Sequence, residues 1–238
     1  MQLAFQIGAY LVGLSLELAI MVVLLRDQWK RYPFVLIFLI GDFLTTVLEI
    51  EPSLSYGTAT AAQKQAFAKL YWLNERIMQV LIVLLVISLV YRATARLQPR
   101  LTLLLVVVAA TLLFAGITFA LHFDPNVRAG KWMTPWTRDM NFFAAVLDLG
   151  LWAVLIGARQ KDYQLLMISG ALGIQFTGGA IGQALRQISL SPLLATLTGD
   201  FISLANIGCL YIWWQAFRMP SSARAQAGRP TPSPNPQA

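Results

Sequence analysis

Apolar residues run in seven long stretches along the first 218 positions, roughly 2–25, 33–50, 69–91, 101–122, 136–158, 162–186 and 194–217, parted by short charged connectors. A helix rises about 1.5 Å per residue, so about 20 apolar residues cross a hydrocarbon layer of about 30 Å. Each stretch has roughly that length, and the core of a soluble chain this size would hold about two of them, not seven. The pattern predicts an all-α polytopic membrane protein, a bundle of seven transmembrane helices formed by residues 1–218. Beyond them, residues 219–238 carry five prolines among Ser, Ala, Gly and Gln with no apolar periodicity, which predicts a disordered cytoplasmic tail.

The polar positions inside the spans recur at helical spacing. Asp42, Thr45 and Glu49 share a face of helix 2, and Glu75 and Gln79 share one of helix 3, with Arg76 beside them. Asn141, Asp148 and Trp152 fall together on helix 5, as do Gln175, Gly179, Gln183 and Arg186 on helix 6, and Asp200, Ser203 and Asn206 on helix 7. Helix 4 has only Thr102, Thr111 and Thr118 and is expected to face lipid. The others should turn their stripes inward, making a polar cavity lined by helices 2, 3, 5, 6 and 7 that opens to the outer face.

An ionisable group at mid-membrane costs about 2.5–3.5 kcal/mol on translocon scales, so it must be paired, hydrated or functional. Glu49, Glu75, Arg76, Arg138, Asp139, Arg186 and Asp200 sit near the outer edge, where three arginines and four acids could neutralise one another. Glu49, Glu75, Arg76, Gln183, Arg186, Asp200 and Asn206 are the candidate ligand-binding residues. Arg76 and Arg186 would hold an anionic ligand, since guanidinium forks match carboxylate and phosphate. Glu17, Asp42 and Asp148 lie deeper, with no basic residue at their depth, and are candidates for hydrogen-bonded glue or for proton or cation coupling.

Composition supports a membrane protein: 57% hydrophobic and 12% charged residues, with a mean hydropathy of +0.62. The net charge of +7 could suggest nucleic acid, but its distribution argues against that. Arg26, Lys30, Arg31, Arg92, Arg96, Arg100, Arg159, Lys161, Arg218, Arg224 and Arg229 occupy alternate connectors, as expected of cytoplasmic loops. The N-terminus should therefore lie outside and the C-terminus in the cytoplasm. Tyr71, Trp72, Trp132, Trp136, Trp29, Tyr32, Trp213 and Trp214 read as interfacial belt residues.

Several chemistries are excluded. Helix 7 has no lysine for a retinal Schiff base, and the single histidine, His122, cannot supply a bis-histidine haem or a histidine-rich metal centre. No phosphate loop, nucleophile elbow or zinc-protease motif occurs, and the lone Cys209 allows no internal disulfide. The expectation is no catalytic residue, no metal, no cofactor, no enzyme activity and no nucleic-acid partner. A membrane-protein partner stays open.

Shifting helix 1 by 131 positions superposes Leu16-Glu17-Leu18 on Leu147-Asp148-Leu149, Lys30 on Lys161 and Tyr32 on Tyr163. A shift of 126 sets Asn74 against Asp200 and Tyr91-Arg92 against Phe217-Arg218. These matches predict a 3+1+3 parallel repeat with helix 4 as the inverting connector, an organisation found in transporters whose substrate site lies between the halves. Glu17 and Asp148 would then face a shared interface at similar depth.

Lys30-Arg31-Tyr32-Pro33-Phe34 entering helix 2, with Tyr71-Trp72 opening a helix 3 that ends Tyr91-Arg92, resembles a group of uncharacterised seven-span proteins from soil bacteria over most of the membrane region. The resemblance implies the helix count and a bacterial origin, and no activity. Two functions follow as expectations: transport of a small polar or anionic solute through the inter-helix cavity, or a ligand-sensing or partner-binding membrane module.

Overall fold

Seven helices form where the seven apolar stretches lie: α1 Gln2–Val23, α2 Pro33–Ser55, α3 Ala61–Ala93, α4 Arg100–His122, α5 Ala129–Gly157, α6 Tyr163–Ile188 and α7 Pro192–Arg218. The computed structural model describes residues 2–55, 57–94, 100–125, 129–157, 162–188 and 192–219, and no strand occurs among them. The expectations for the tail beyond 219, for Arg96, Arg128, Arg159, Lys161, Arg224 and Arg229, and for the side chain of Arg186 fall outside the described residues. Six helices, α1 to α6, are long and apolar enough to cross a membrane; α7, with 27 residues, is the seventh member of the bundle.

Local signals set the helix ends. Thr60 and Gln63 form a reciprocal capping box that starts α3, each side chain accepting the other's backbone N–H. Pro33 and Pro192 occupy first helical positions, where a missing N–H costs nothing. Asp162 caps α6 by accepting the Leu165 N–H at 3.0 Å. The first helix runs further than its apolar stretch, through a π-helical turn over Leu24–Gln28.

The helices pack as a ring, α1 against α2, α2 against α3, α3 against α5, α5 against α6, α6 against α7 and α7 back against α1. Helix α4 lies outside the ring against α3 and α5. Its outward face is apolar and open, with Leu101 71% and Leu121 76% exposed, as a lipid-facing helix requires. The hydroxyls of Thr111 and Thr118 donate to the carbonyls of Val107 and Phe114, so α4 satisfies these two groups within its own backbone.

Along its axis the ring has two unlike halves. At the end carrying the first turns of α2 and α6 and the last turns of α3 and α7, one apolar core is packed solid, with Leu24, Phe38, Leu85, Leu89, Ile168, Leu172 and Trp213 fully buried. This closed end also holds Tyr32, stacked edge-on against Phe217. Tyr32 and Trp213 are 1% and 0% exposed, so they are core residues and not belt residues; each faces the ring interior, where its polar atom finds a partner. Trp29, by contrast, is half exposed. The opposite end is hollow.

Candidate functional site

The hollow end contains two adjoining chambers. The smaller, about 320 Å³, has walls from α2, α3, α5, α6 and α7, the five helices whose polar stripes share the inward face. Asp42, Glu49, Glu75, Gln183 and Asn206 line it, together with Asn141 and Gln175. The larger, about 610 Å³, lies between α1, α2, α3 and α7 and contains Glu17, Glu49, Asp200 and Asn206. The chambers share Thr46, Glu49, Tyr71, Ile202, Ser203 and Asn206 as a common wall.

Amides position the carboxylates. The Asn74 side chain, 5% exposed, donates to Glu49 at 2.8 Å, and Gln79 donates to Glu75 at 3.4 Å. Across the ring, Cys209 donates to Gln175, Gln175 donates to Asn206 at 3.0 Å, and Asn206 in turn bonds Asp42. This polar chain ties α2, α6 and α7 together at one depth. Buried polar groups linked this way hold one geometry, because any displacement strands a donor or an acceptor in a low-dielectric interior.

The outer-edge cluster divides. Asp139 is engaged away from both chambers, by Arg138 at 2.7 Å and His122 at 2.8 Å, at the contact of α4 with α5. Arg76 is exposed and stacks over the Trp132 ring at 5.7 Å, and it lines neither chamber. Its position one step along from Glu75 turns it about 100° off the inward face. Asp139 and Arg76 therefore stand apart from the acids that line the chambers.

The deep acids divide as well. Asp148 is 3% exposed and accepts from the Ser169 hydroxyl at 2.6 Å in the α5–α6 contact, outside both chambers. Glu17 is 2% exposed, lines the larger chamber, and leaves its Oε2 without a hydrogen-bond partner. The two residues matched by the 131-position shift thus have different surroundings, one satisfied in a helix contact and one turned toward a cavity.

The larger chamber also includes residues that the sequence expectation omits. Gln6, Tyr10 and Gly13 line it beside the expected Glu17. Their steps of four, three and four place them on one face of α1, so that stripe was readable from the sequence. Asn74 carries a weaker signal, because it lies one residue before Glu75 and off its stripe. Among the described residues no group of three or more His, Cys, Asp or Glu side chains is close enough to hold a metal ion. The apolar helices and the buried polar interior make the chain a multi-pass membrane protein. No protein-family model matches it, and no curated protein or solved structure shows significant similarity to it.

Proposed function

We propose that this membrane protein transports a small polar solute through the paired chambers across a bacterial inner membrane, with the N-terminus outside and the C-terminus in the cytoplasm. The observation that carries the reading is the axial division of the ring: carboxylates and amides around open space at one end, an apolar and hydrogen-bonded plug at the other. A solute admitted to such a chamber is held at mid-membrane until the plug opens. The order of contacts adds support, since α1, α2 and α3 meet in the same sequence as α5, α6 and α7, and each trio closes onto the next. At the closed end Arg31 bonds Asp162 at 2.9 Å, a pair 131 positions apart that joins the same loop in each half. That arrangement suits a parallel repeat whose halves move against each other.

Single-cysteine labelling tests both direction and transport. Cys209 is buried, so a Cys209→Ala background can carry reporter cysteines. Gly57→Cys, in the exposed α2–α3 connector, should react with an impermeant maleimide only from the outside of intact cells. Ser203→Cys, in the wall between the chambers, should react rapidly from that side and slowly from the cytoplasmic side in inverted vesicles. Labelling of Ser203→Cys from one side alone under all conditions would exclude transport and leave the ligand-sensing module. Labelling of Gly57→Cys from the cytoplasm would reverse the orientation.

A further inference from the structure

We propose that the larger chamber binds an organic ammonium ion bearing N–H groups, a protonated primary or secondary amine, with Glu17 as its counter-ion. The inference rests on the reading of the chambers as a solute site and fixes the charge and donor character of the solute. Three observations converge on it. The first is Glu17: the residue is 2% exposed, it lines a chamber of about 610 Å³, and its Oε2 has no donor. An acceptor left open at that depth is costly, and a ligand N–H removes the cost. The second is the company Glu17 keeps. Glu49 and Asp200 line the same chamber, Asp42 lies within electrostatic reach of Glu17 in the adjoining chamber with its own Oδ2 unpartnered, and no described lining residue of the larger chamber is basic. Carboxylates gathered in low dielectric repel one another, and an entering cation relieves all of them at once.

The third observation separates an organic cation from a bare metal ion. The carboxylates do not converge three to a point, and the space is the size of a small-molecule site. Phe5, Tyr10 and Tyr71 contribute aromatic surface to the wall, which suits the carbon skeleton of an amine and the charge of its head. The ammonium could belong to a free amine or to a phosphatidylethanolamine headgroup entering from the bilayer; the chemistry recognised is the same.

The test is calorimetric titration of the purified full chain in phosphatidylcholine nanodiscs, corrected with empty discs. Phenethylamine should bind saturably, and phenylacetate, the same ring bearing the opposite charge, should not. Glu17→Gln should weaken phenethylamine at least tenfold, and Asp200→Asn, a half-buried position at the same chamber, at least threefold; gel filtration confirms that each variant is folded. Tetramethylammonium, which has charge but no N–H, should bind at least tenfold more weakly than phenethylamine. Discs doped with phosphatidylethanolamine distinguish the sources: competition with phenethylamine identifies the headgroup, and unchanged affinity identifies a free amine. Saturable binding of phenylacetate without phenethylamine would overturn the proposal and leave the solute chamber standing with the opposite preference. Unchanged phenethylamine affinity in both variants, or no binding of either probe, would overturn it outright, while two-sided labelling of Ser203→Cys would still uphold transport.

Discussion

Gly182→Leu is expected to lower the thermal midpoint of the purified protein by about 6–12 °C. Gly182 is buried in the α6–α7 seam, and a side chain there would begin inside the volume occupied by Ile202. One turn earlier, a Cβ on Gly178 would lie 2.6 Å from the Cβ of Ala205. The two glycines, four apart, bring the α6 backbone directly against α7, which is how helices without a strong hydrophobic drive between them gain contact in lipid. Overpacking a close seam costs about 3 kcal/mol, and each kcal/mol moves the midpoint of a chain this long by about 2–4 °C. Gly208→Ala is the control. A Cβ there meets nothing within 4 Å, so helix propensity alone should act and the midpoint should hold or rise slightly. Equal melting of Gly182→Leu and the parent would show that the seam is loose.

Those glycines illustrate what a sequence can convey about a membrane bundle. The four-residue spacing in helix 6 announces a close approach, but not which helix approaches. The apolar rhythm specifies seven helices because lipid imposes one length on every span, and the capping box of Thr60 and Gln63 is written in four residues. The inward stripes of α2, α3, α5, α6 and α7 were legible for the same reason, since residues three and four apart share a face whatever the helix touches. Partner identity is a different quantity, decided by rotation and register between helices far apart in sequence. It separates Asp148, bonded to Ser169, from Glu17, which faces a cavity, although both read alike as lone deep acids. It also draws Asp139 to His122 and leaves Arg76 over Trp132. Tyr32 and Trp213 show the same limit: near a span's end an aromatic residue can serve as belt or core, and only the packing of α1, α2, α6 and α7 around them decides.

Gln164→Leu is expected to destabilise the closed end by about 3 kcal/mol and to speed cytoplasmic labelling of Ser203→Cys. Gln164 is 2% exposed and is the hub of the plug. Its amide donates to Gln28 at 2.7 Å and to the carbonyl of Ala216 at 3.2 Å, and its oxygen accepts from Tyr32 at 3.4 Å. Gln28 donates in turn to the carbonyl of Phe217 at 3.1 Å. Ala216 and Phe217 lie in the last turn of α7, where helical carbonyls have no partner of their own, so Gln28 at the end of the first helix and Gln164 in the first turn of α6 supply what the helix end lacks. Leucine would fill the space but strand at least two buried acceptors, each at about 1–3 kcal/mol. The Arg31–Asp162 ion pair beside it makes a useful contrast. Both side chains are more than a third exposed, so Arg31→Ala should cost below about 1 kcal/mol while Asp162 continues to cap α6. On these magnitudes the buried amides contribute more than the surface charges to the stability of the closed end. A Gln164→Leu protein as stable as Arg31→Ala, with unchanged labelling from the cytoplasmic side, would mean that apolar packing around Trp213 closes this end by itself.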